Sequence, residues 1–379
     1  MPHKLLPRYA TSYSEPLSPR ERVRLALDHR ETDRVPITLV CAEPEPPARA
    51  ALAAYLGVDA GEGVDRYLGR FVDLVPVGPS FRGWDPEYRG PALDRSQAGY
   101  DDVWGCRWEP VSYGEGTHWE IARYPLAEVE DIGDLDRRPW PDPDWWDYAA
   151  IAERIARARH ERDYALIMTS GNPFERTWWM RGFERTLLDM IEHPDLYHGI
   201  ISRITDVQVE TTRRVLEVAD GRVDMAFTGD DLGGQDGLLV SLPMWREFIK
   251  PYHARLNETI HQFGVKVCYH SDGNVMPAIP GLIEMGIDVL QALQFSARGM
   301  DPVAMKRDHG DRLCFQGGIS VQTTLPFGTV DDVRAEVRER IRVLGSGGGY
   351  ILSPSHTIMG GTPPENVVAM FEEAVGPMP

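Results

Sequence analysis

The sequence predicts a (β/α)₈ barrel, because short β-rich stretches alternate with helical patterns along the C-terminal half of the chain. Each unit takes roughly 30–40 residues, which is the spacing that such a barrel requires. The stretches end in the polar or glycine-containing segments Gly229-Asp230-Asp231, His270-Ser271-Asp272-Gly273, Gln316-Gly317-Gly318 and Ser353-Pro354-Ser355-His356. A doubly wound sheet would alternate similarly, but it usually carries a glycine-rich dinucleotide motif after its first strand, and none follows residues 35–40.

The individual elements follow from local patterns. Ser18, Pro19 and Glu21 have the residue types of a helix cap, first turn and third position, so they predict a helix over 20–29. Residues 35–40 and 165–169 are β-rich and predict strands, and later strands should end near residues 230, 270, 294, 316 and 353. Further helices are expected over 151–162, 183–192, 196–218, 243–263, 276–285, 330–344 and 364–374.

The sequence indicates one domain with an insertion. Residues 1–17 are rich in proline and polar residues and predict a flexible N-terminal segment, whereas 18–379 predict a single barrel domain. Glycine, proline and tryptophan are dense over 76–147, which we interpret as an inserted region of β-strands and loops. Its tryptophans form either a lid over the barrel mouth or a satellite core. Within it, residues 139–146 predict a rigid extended linker rather than a helix, because prolines interrupt the segment.

Bulk composition limits the classes of partner. The 379 residues are 42% hydrophobic and 26% charged, which is ordinary for a globular protein, and the formal net charge is −18. Nucleic acids and anionic membranes attract clustered positive charge, so we expect neither as a partner. The four cysteines are scattered without a Cys-x-x-Cys pair, and no signal peptide or bilayer-spanning apolar run is present. A cytoplasmic location is therefore expected, and self-association into a homodimer is left open.

Three residues at predicted strand ends form a candidate metal site. His270 and Asp272 are two apart, so in an extended segment their side chains face the same way, and His356 follows a later strand at the same face of the barrel. Two imidazoles and one carboxylate suit Zn²⁺ or another divalent metal such as Fe²⁺, with positions left for water or substrate. The structural alternative is that His270 and Asp272 stabilise a turn and that His356 bonds a carbonyl.

Two adjacent carboxylates are candidate catalytic groups together with His270. Asp230 and Asp231 follow a predicted strand, and like charges at one strand end favour protonation or pairing of one of them. Either residue then suits the role of general acid or base. The alternative is that one of them caps the following helix.

Candidate substrate-binding residues lie beside the predicted strand ends. Arg176 and Trp178 combine a guanidinium with a large ring, which suits a planar or carboxylated substrate but equally suits a packed helix interface. Gln235 is placed to orient a polar ligand. Tyr269 and Gln316, which adjoin the ends of two predicted strands, complete the set.

Seven motifs together resemble the uroporphyrinogen decarboxylase superfamily over about residues 18–375. They are Arg20-Glu21-Arg22-Val23, Asp33-Arg34-Val35-Pro36, Asp102-Val103-Trp104-Gly105, the Gly-Asp-Asp-Leu-Gly-Gly-Gln segment 229–235, His270-Ser271-Asp272-Gly273, Gln316-Gly317-Gly318-Ile319 and Thr362-Pro363-Pro364-Glu365-Asn366-Val367. The resemblance implies a (β/α)₈ barrel. The superfamily contains the haem-pathway decarboxylase and zinc-dependent, corrinoid-linked methyltransferases, among them the coenzyme M methyltransferases.

Departures from the family motifs separate the two branches. The decarboxylases have an Arg-Gln-Ala-Gly-Arg motif that grips substrate carboxylates, whereas residues 38–44 here read Thr-Leu-Val-Cys-Ala-Glu-Pro. His356 and Gln316 still resemble the Gly-His-Gly and Gln-Gly-Asn segments of that branch.

The methyltransferases bind zinc with a His-x-Cys motif and a later Cys, and here His270 is kept while Asp272 and His356 stand in place of the thiolates. These harder ligands retain a metal site and argue against coenzyme M as the substrate.

The resemblance therefore implies a metal-dependent methyltransferase or demethylase that acts on a small molecule, with a corrinoid protein as its expected partner. The main alternative is a metal-independent decarboxylase in which Arg176 binds a carboxylate. A second alternative is a non-catalytic relative that binds a corrinoid or a substrate.

Overall fold

The computed structural model describes residues 16–82, 99–114 and 116–376. The described strands are, in chain order, β1 (Leu74–Val77), β2 (Ser80–Phe81), β3 (Tyr100–Asp101), β4 (Arg107–Ser112), β5 (Thr117–Arg123), β6 (Trp146–Asp147), β7 (Ala165–Gly171), β8 (Met225–Gly229), β9 (Lys266–His270), β10 (Val289–Ala292), β11 (Cys314–Ile319) and β12 (Tyr350–Pro354).

The described helices surround these strands. They are α1 (Pro19–Leu27), α2 (Pro46–Leu56), α3 (Glu62–Gly69), α4 (Ile132–Asp136), α5 (Ala149–Arg162), α6 (Pro173–Arg181), α7 (Phe183–Glu192), α8 (Pro194–Ala219), α9 (Leu242–Met244), α10 (Lys250–His261), α11 (Ile279–Glu284), α12 (Pro302–His309), α13 (Thr324–Phe327), α14 (Val330–Leu344) and α15 (Pro364–Val375). Within the described ranges, none of these helices has the length and low polarity needed to cross a bilayer.

Seven parallel strands form the barrel sheet in the order β1-β7-β8-β9-β10-β11-β12. Residues 37 and 38 close it: Ile37 bridges Leu352 on β12, and Thr38 bridges Leu74 on β1. The strand expected over 35–40 was wrong in extent, since only these two residues pair with their neighbours. The chain then turns away from the sheet, with Cys41 in the left-handed region at φ 58°. The predicted (β/α)₈ barrel is confirmed.

Local helix signals were accurate where the pattern was strong. Ser18 and Glu21 form the expected capping box at the start of α1, and the ranges predicted over 183–192 and 330–344 coincide with α7 and α14. The helix predicted over 243–263 is instead divided by a π-helical turn, Trp245–Ile249, in which the Lys250 N–H bonds the Trp245 carbonyl. Pro251 follows at once and has no N–H to continue a regular ladder.

Alternation along the strands separates the barrel interior from the helix layer. On β9, Cys268 packs inside the barrel with residues such as Met225 and Val289, whereas Val267 and Tyr269 pack outward against the helices. Val23 of α1 joins the interior cluster and covers the lower end of the barrel. Because side chains on a strand alternate with a period of two, His270 faces the same interior as Cys268, one layer closer to the mouth.

The insertion contains a three-stranded antiparallel sheet, β3-β4-β5. Its core includes Trp104 and Cys106, which pack with Met180 of α6 and Ile200 of α8. Residues 83–98 and 115 of the predicted lid, and 1–15 of the predicted flexible segment, lie outside the described residues. The extended linker expected over 139–146 was partly wrong, because Pro143–Trp145 forms a 3₁₀ turn that is capped by the Asp142 carboxylate.

Candidate functional site

Three predicted metal ligands converge at the mouth of the barrel. His270 ends β9, Asp272 follows it, and His356 follows β12. One potential ligand atom from each residue lies within 4.8 Å of those of the other two, and Nε2 of His356 is 3.9 Å from Oδ2 of Asp272. Two ligands about 2.1 Å from a tetrahedral zinc ion lie about 3.4 Å apart, so the ligand atoms of the triad need to approach one another by up to about 1.4 Å to share a metal.

A third carboxylate and a buried amide surround His270. Oδ1 of Asp231 lies 3.6 Å from Nε2 of His270 and also accepts the backbone N–H of Asp272 at 2.8 Å. On the other side of the ring, Nδ1 of His270 is hydrogen-bonded to Oε1 of Gln291 on β10. The side chains of Asp231 and Asp272 are 29% and 31% exposed, so a small molecule in solvent can reach this group.

The electrostatics of the mouth are dominated by negative charge. Burial raises the pKa of Asp272, and the charge of Asp231 raises it further against the opposing histidines His270 and His356. Burial would lower the pKa of His270, but Asp272, Asp231 and Glu175 outweigh burial and raise it. Within the described ranges, no Lys or Arg forms an ion pair with these three carboxylates. The site is therefore neutralised by protons or by a bound cation.

Glu175 belongs to this group and was missed in the sequence. It lies in the first turn of α6, where Nδ2 of Asn172 donates to its Oε2 at 3.0 Å. Burial, followed by the charges of Asp230 and Asp231, raises the pKa of Glu175 to about 8. A carboxyl group with this pKa holds a proton at neutral pH. The available signal was its position just after the predicted strand 165–169, but an acidic residue in a first turn is also common for helix-dipole reasons.

Asp230 anchors the start of α6. Its side chain is fully buried and accepts the backbone N–H groups of Phe174 at 2.9 Å and Glu175 at 2.7 Å. Nε2 of His253 is also hydrogen-bonded to its Oδ2. These contacts fix the helix that carries Glu175, and the catalytic role of Asp230 stays a prediction.

Arg176 and Trp178 lie on α6 but make contacts with the insertion and with neighbouring rings. Nη1 of Arg176 lies 2.9 Å from Oδ2 of Asp102, and its guanidinium lies 4.5 Å from the ring centre of Trp179. The Trp178 ring is parallel to that of Phe174, with ring centres 6.1 Å apart, and is tilted by 54° to that of Phe183, with ring centres 4.6 Å apart. Arg176 thereby ties the insertion to the barrel, and substrate binding by Arg176 and Trp178 stays a prediction.

The remaining predicted substrate-binding residues do not join the triad. Tyr269 is buried on the helix side of β9, where its ring meets that of His253 at 5.1 Å. Gln316 is buried inside the barrel, with the Cys268 thiol 3.8 Å from its Oε1. Gln235 is exposed, and its backbone carbonyl accepts the Arg298 N–H at 2.8 Å. Their roles in substrate binding stay predictions.

Cys41 brings a thiol to the same region. Burial raises the pKa of this thiol to about 12, and the negative charges of Asp272 and Glu175 contribute to the increase. Without a bound cation the thiol therefore stays protonated at neutral pH.

Known proteins share both the sequence pattern and the architecture. The family model described as uroporphyrinogen decarboxylase (URO-D) matches residues 105–375. The uroporphyrinogen decarboxylase of Methylococcus capsulatus is 24% identical over 269 residues, which are 68% of this chain and 71% of that protein. That of Nitrosomonas europaea is 26% identical over 275 residues, which are 68% of this chain and 70% of that protein.

Among solved structures, a methyltransferase from Methanosarcina mazei superposes with a TM-score of 0.62 at 18% sequence identity. The match covers 94% of this chain and 98% of the methyltransferase. At this identity the likeness establishes a shared fold.

Proposed function

Since this chain belongs to the uroporphyrinogen decarboxylase family, as its motifs predicted, we propose that it is a metal-dependent methyltransferase or demethylase acting on a small molecule. The observation that carries the proposal is the convergence of His270, Asp272 and His356 in an acidic, solvent-accessible mouth. A fold shared with the Methanosarcina mazei methyltransferase is compatible with this activity.

The donor set fits a divalent cation. Two imidazole nitrogens and one carboxylate oxygen are ligands of Zn²⁺ and of other first-row divalent metals. The three carboxylates of Asp231, Asp272 and Glu175 have no Lys or Arg partner within the described ranges, so a cation there relieves their repulsion. When bound, the metal would supply Lewis acidity toward a substrate oxygen or sulfur, and the absence of thiolate from the triad favours oxygen.

The protein groups around the triad would control protons. Asp231 accepts the backbone N–H of Asp272 at 2.8 Å and would thereby hold the segment that carries the second metal ligand. Glu175, with a pKa of about 8, holds a proton at neutral pH and would deliver it from its carboxyl oxygen to the oxygen atom from which a methyl group departs. We further propose that the methyl group passes to or from a corrinoid carried by a partner protein.

The runner-up function is metal-independent decarboxylation, which the names of the relatives favour. In that reaction Arg176 would bind a substrate carboxylate. Its guanidinium is instead paired with Asp102, and a substrate with several carboxylates would meet an acidic mouth. Because of these two observations, we rank decarboxylation below metal-dependent methyl transfer.

Metal analysis of protein purified without chelators tests the proposal. We expect about one divalent ion per chain by elemental mass spectrometry, and its loss in each of the variants His270→Ala, Asp272→Ala and His356→Ala. His160→Ala, on the exposed face of α5, is the matched control and should retain the metal.

A folded wild-type protein without metal that converts uroporphyrinogen to coproporphyrinogen would replace the proposal by the decarboxylase. A metal-free protein that binds a corrinoid protein and turns over neither class of substrate would favour the non-catalytic alternative.

A further inference from the structure

The two ring nitrogens of His270 lie in different surroundings. Nδ1 faces the buried Oε1 of Gln291, to which it is hydrogen-bonded. Nε2 faces the mouth, where Oδ1 of Asp231 lies 3.6 Å away. A neutral imidazole carries one proton, so the choice between these two nitrogens decides whether Nε2 has a lone pair for a metal.

Sheet register holds Gln291 in place beside the ring. Gln291 pairs directly with His270 between β10 and β9, and its side chain is fully buried. Its backbone carbonyl also accepts the N–H of Ser271 at 2.8 Å, so the main chain on both sides of His270 is tied to β10. The amide oxygen therefore meets Nδ1 from a rigid strand rather than from a loop.

The chemistry of the amide oxygen determines the tautomer. A carbonyl oxygen only accepts hydrogen bonds, so the group opposite it must be Nδ1–H, which leaves the lone pair of the neutral ring on Nε2. The carboxylate of Asp231 favours the other tautomer, because a negative oxygen 3.6 Å from Nε2 stabilises a proton on Nε2. Without the amide oxygen, the proton would shift toward Asp231 and block Nε2.

We infer that Gln291 is a positioning residue that holds the proton of His270 on Nδ1 and keeps Nε2 available to the metal. The inference rests on the proposed function. A second observation supports it: Nε2 of the Gln291 side chain is buried with no hydrogen-bond partner among the described residues. The hydrogen bond to Nδ1 of His270 is therefore the one that the Gln291 side chain makes within the described part of the chain.

The test compares a pair of glutamines that differ in one contact. Gln316 lies on the next strand in register with Gln291, is equally buried and also has an unpartnered Nε2, but its oxygen faces the Cys268 thiol. We expect Gln291→Met to lower Zn²⁺ affinity by about 10- to 100-fold, the usual effect of removing a support of a metal ligand. Gln316→Met should leave the affinity nearly unchanged, and Gln291→Glu, which keeps an acceptor oxygen, should retain it.

A second readout needs no metal. In ¹⁵N-histidine-labelled protein, studied without metal at a pH where the rings are neutral, the signals missing from His270→Ala identify His270. We expect its proton on Nδ1 in the wild type and its partial transfer to Nε2 in Gln291→Met. A wild-type proton on Nε2 would overturn the inference, even where Gln291→Met fails to fold. Equal Zn²⁺ affinity of folded Gln291→Met and wild type would overturn it as well.

Failure of the proposed function looks different from failure of the inference. If the wild type binds no metal while its His270 proton lies on Nδ1 and moves in Gln291→Met, the metal-dependent function fails and the positioning role of Gln291 stands.

Discussion

The two ends of the barrel differ in the partners of their carboxylates. At the lower end, Nη1 of Arg22 and Nη1 of Arg34 each lie 2.7 Å from an oxygen of the fully buried Asp73, and Arg22 also pairs with Asp33 at 2.7 Å. At the mouth, Glu175, Asp231 and Asp272 lie together without an arginine partner within the described ranges. The carboxylates that pair with arginine at the lower end have a structural role. The carboxylates at the mouth, which lack such partners, form a site that suits a cation.

The pKa directions follow the same division. Burial would raise the pKa of Asp224, but a backbone N–H from Leu166 and the charges of Arg159 and Arg20 outweigh burial and lower it. At the mouth, burial and neighbouring carboxylates act together on Glu175 and raise its pKa to about 8. Charge pairing at the lower end therefore stabilises the fold. At the mouth, neighbouring carboxylates repel one another, and a bound cation can reduce that repulsion.

The largest expected effect is at the lower end. Arg22→Met would leave the buried carboxylate of Asp73 with one cation fewer, and breaking a buried pair costs about 3–5 kcal/mol of folding free energy. Urea unfolding measures the loss. Arg66→Met, which removes an exposed pair with Glu62, is the control and should have a much smaller effect. Equal losses in the two variants would contradict the comparison.

Removal of a charged group at the mouth should weaken metal binding strongly and change the folding free energy only slightly. Asp272→Asn removes a metal ligand and should weaken Zn²⁺ binding by more than about 100-fold, since even the supports of ligands contribute about 10- to 100-fold. The stability of the metal-free protein should change by less than about 0.5 kcal/mol, because one repelling charge is removed from an accessible site. Calorimetric titration and urea unfolding give the two values, with the exposed Asp236→Asn as the control.

The two ends should also differ in the sign of their pH dependence. Folding raises the pKa of Glu175 from about 4.5 to about 8, so between these values only the folded state holds the proton. This contribution to stability is complete below pH 4.5 and is lost as the pH rises toward 8, by about 1.4 kcal/mol per pH unit. Asp224 has a lowered pKa, so its contribution is present above pH 4 and is lost in stronger acid.

Urea unfolding of metal-free protein at pH 5.5 and 7.5 measures the difference. Glu175→Gln should flatten the loss of stability between these pH values, whereas Glu184→Gln, at an exposed position of α7, should not. A wild type that is more stable at pH 7.5 than at pH 5.5 by the expected amount would reverse the assignment.

The smallest expected effect concerns the attachment of the insertion. If Arg176 serves to hold Asp102, the variants Arg176→Met and Asp102→Asn should each destabilise the protein, and the double variant little more than either. We expect a coupling energy of about 1 kcal/mol from thermal unfolding of the four proteins. Additive effects would instead leave Arg176 available for substrate.

Local patterns were sufficient for elements whose signals lie within a few residues. The capping residues Ser18 and Glu21 located α1, and regular alternation located β9 and α14, because each signal is carried by neighbours in the chain. The same alternation with His270 and Asp272 at a strand end was enough to predict the triad with His356, since a parallel barrel brings its strand ends to one face. The motifs were also sufficient for the family.

Contacts between distant segments required the tertiary structure. A period of two shows that Tyr269 and His270 face opposite sides of β9, but only the packing shows that Tyr269 lies against His253. The sequence by itself therefore determined the barrel, its family and the candidate ligands. The fold alone decided that Ile37 and Thr38 close the sheet, that Glu175 joins the acidic mouth and that Gln291 meets His270. These features depend on register and burial, which set the partner of each polar group and leave no periodic pattern in the chain.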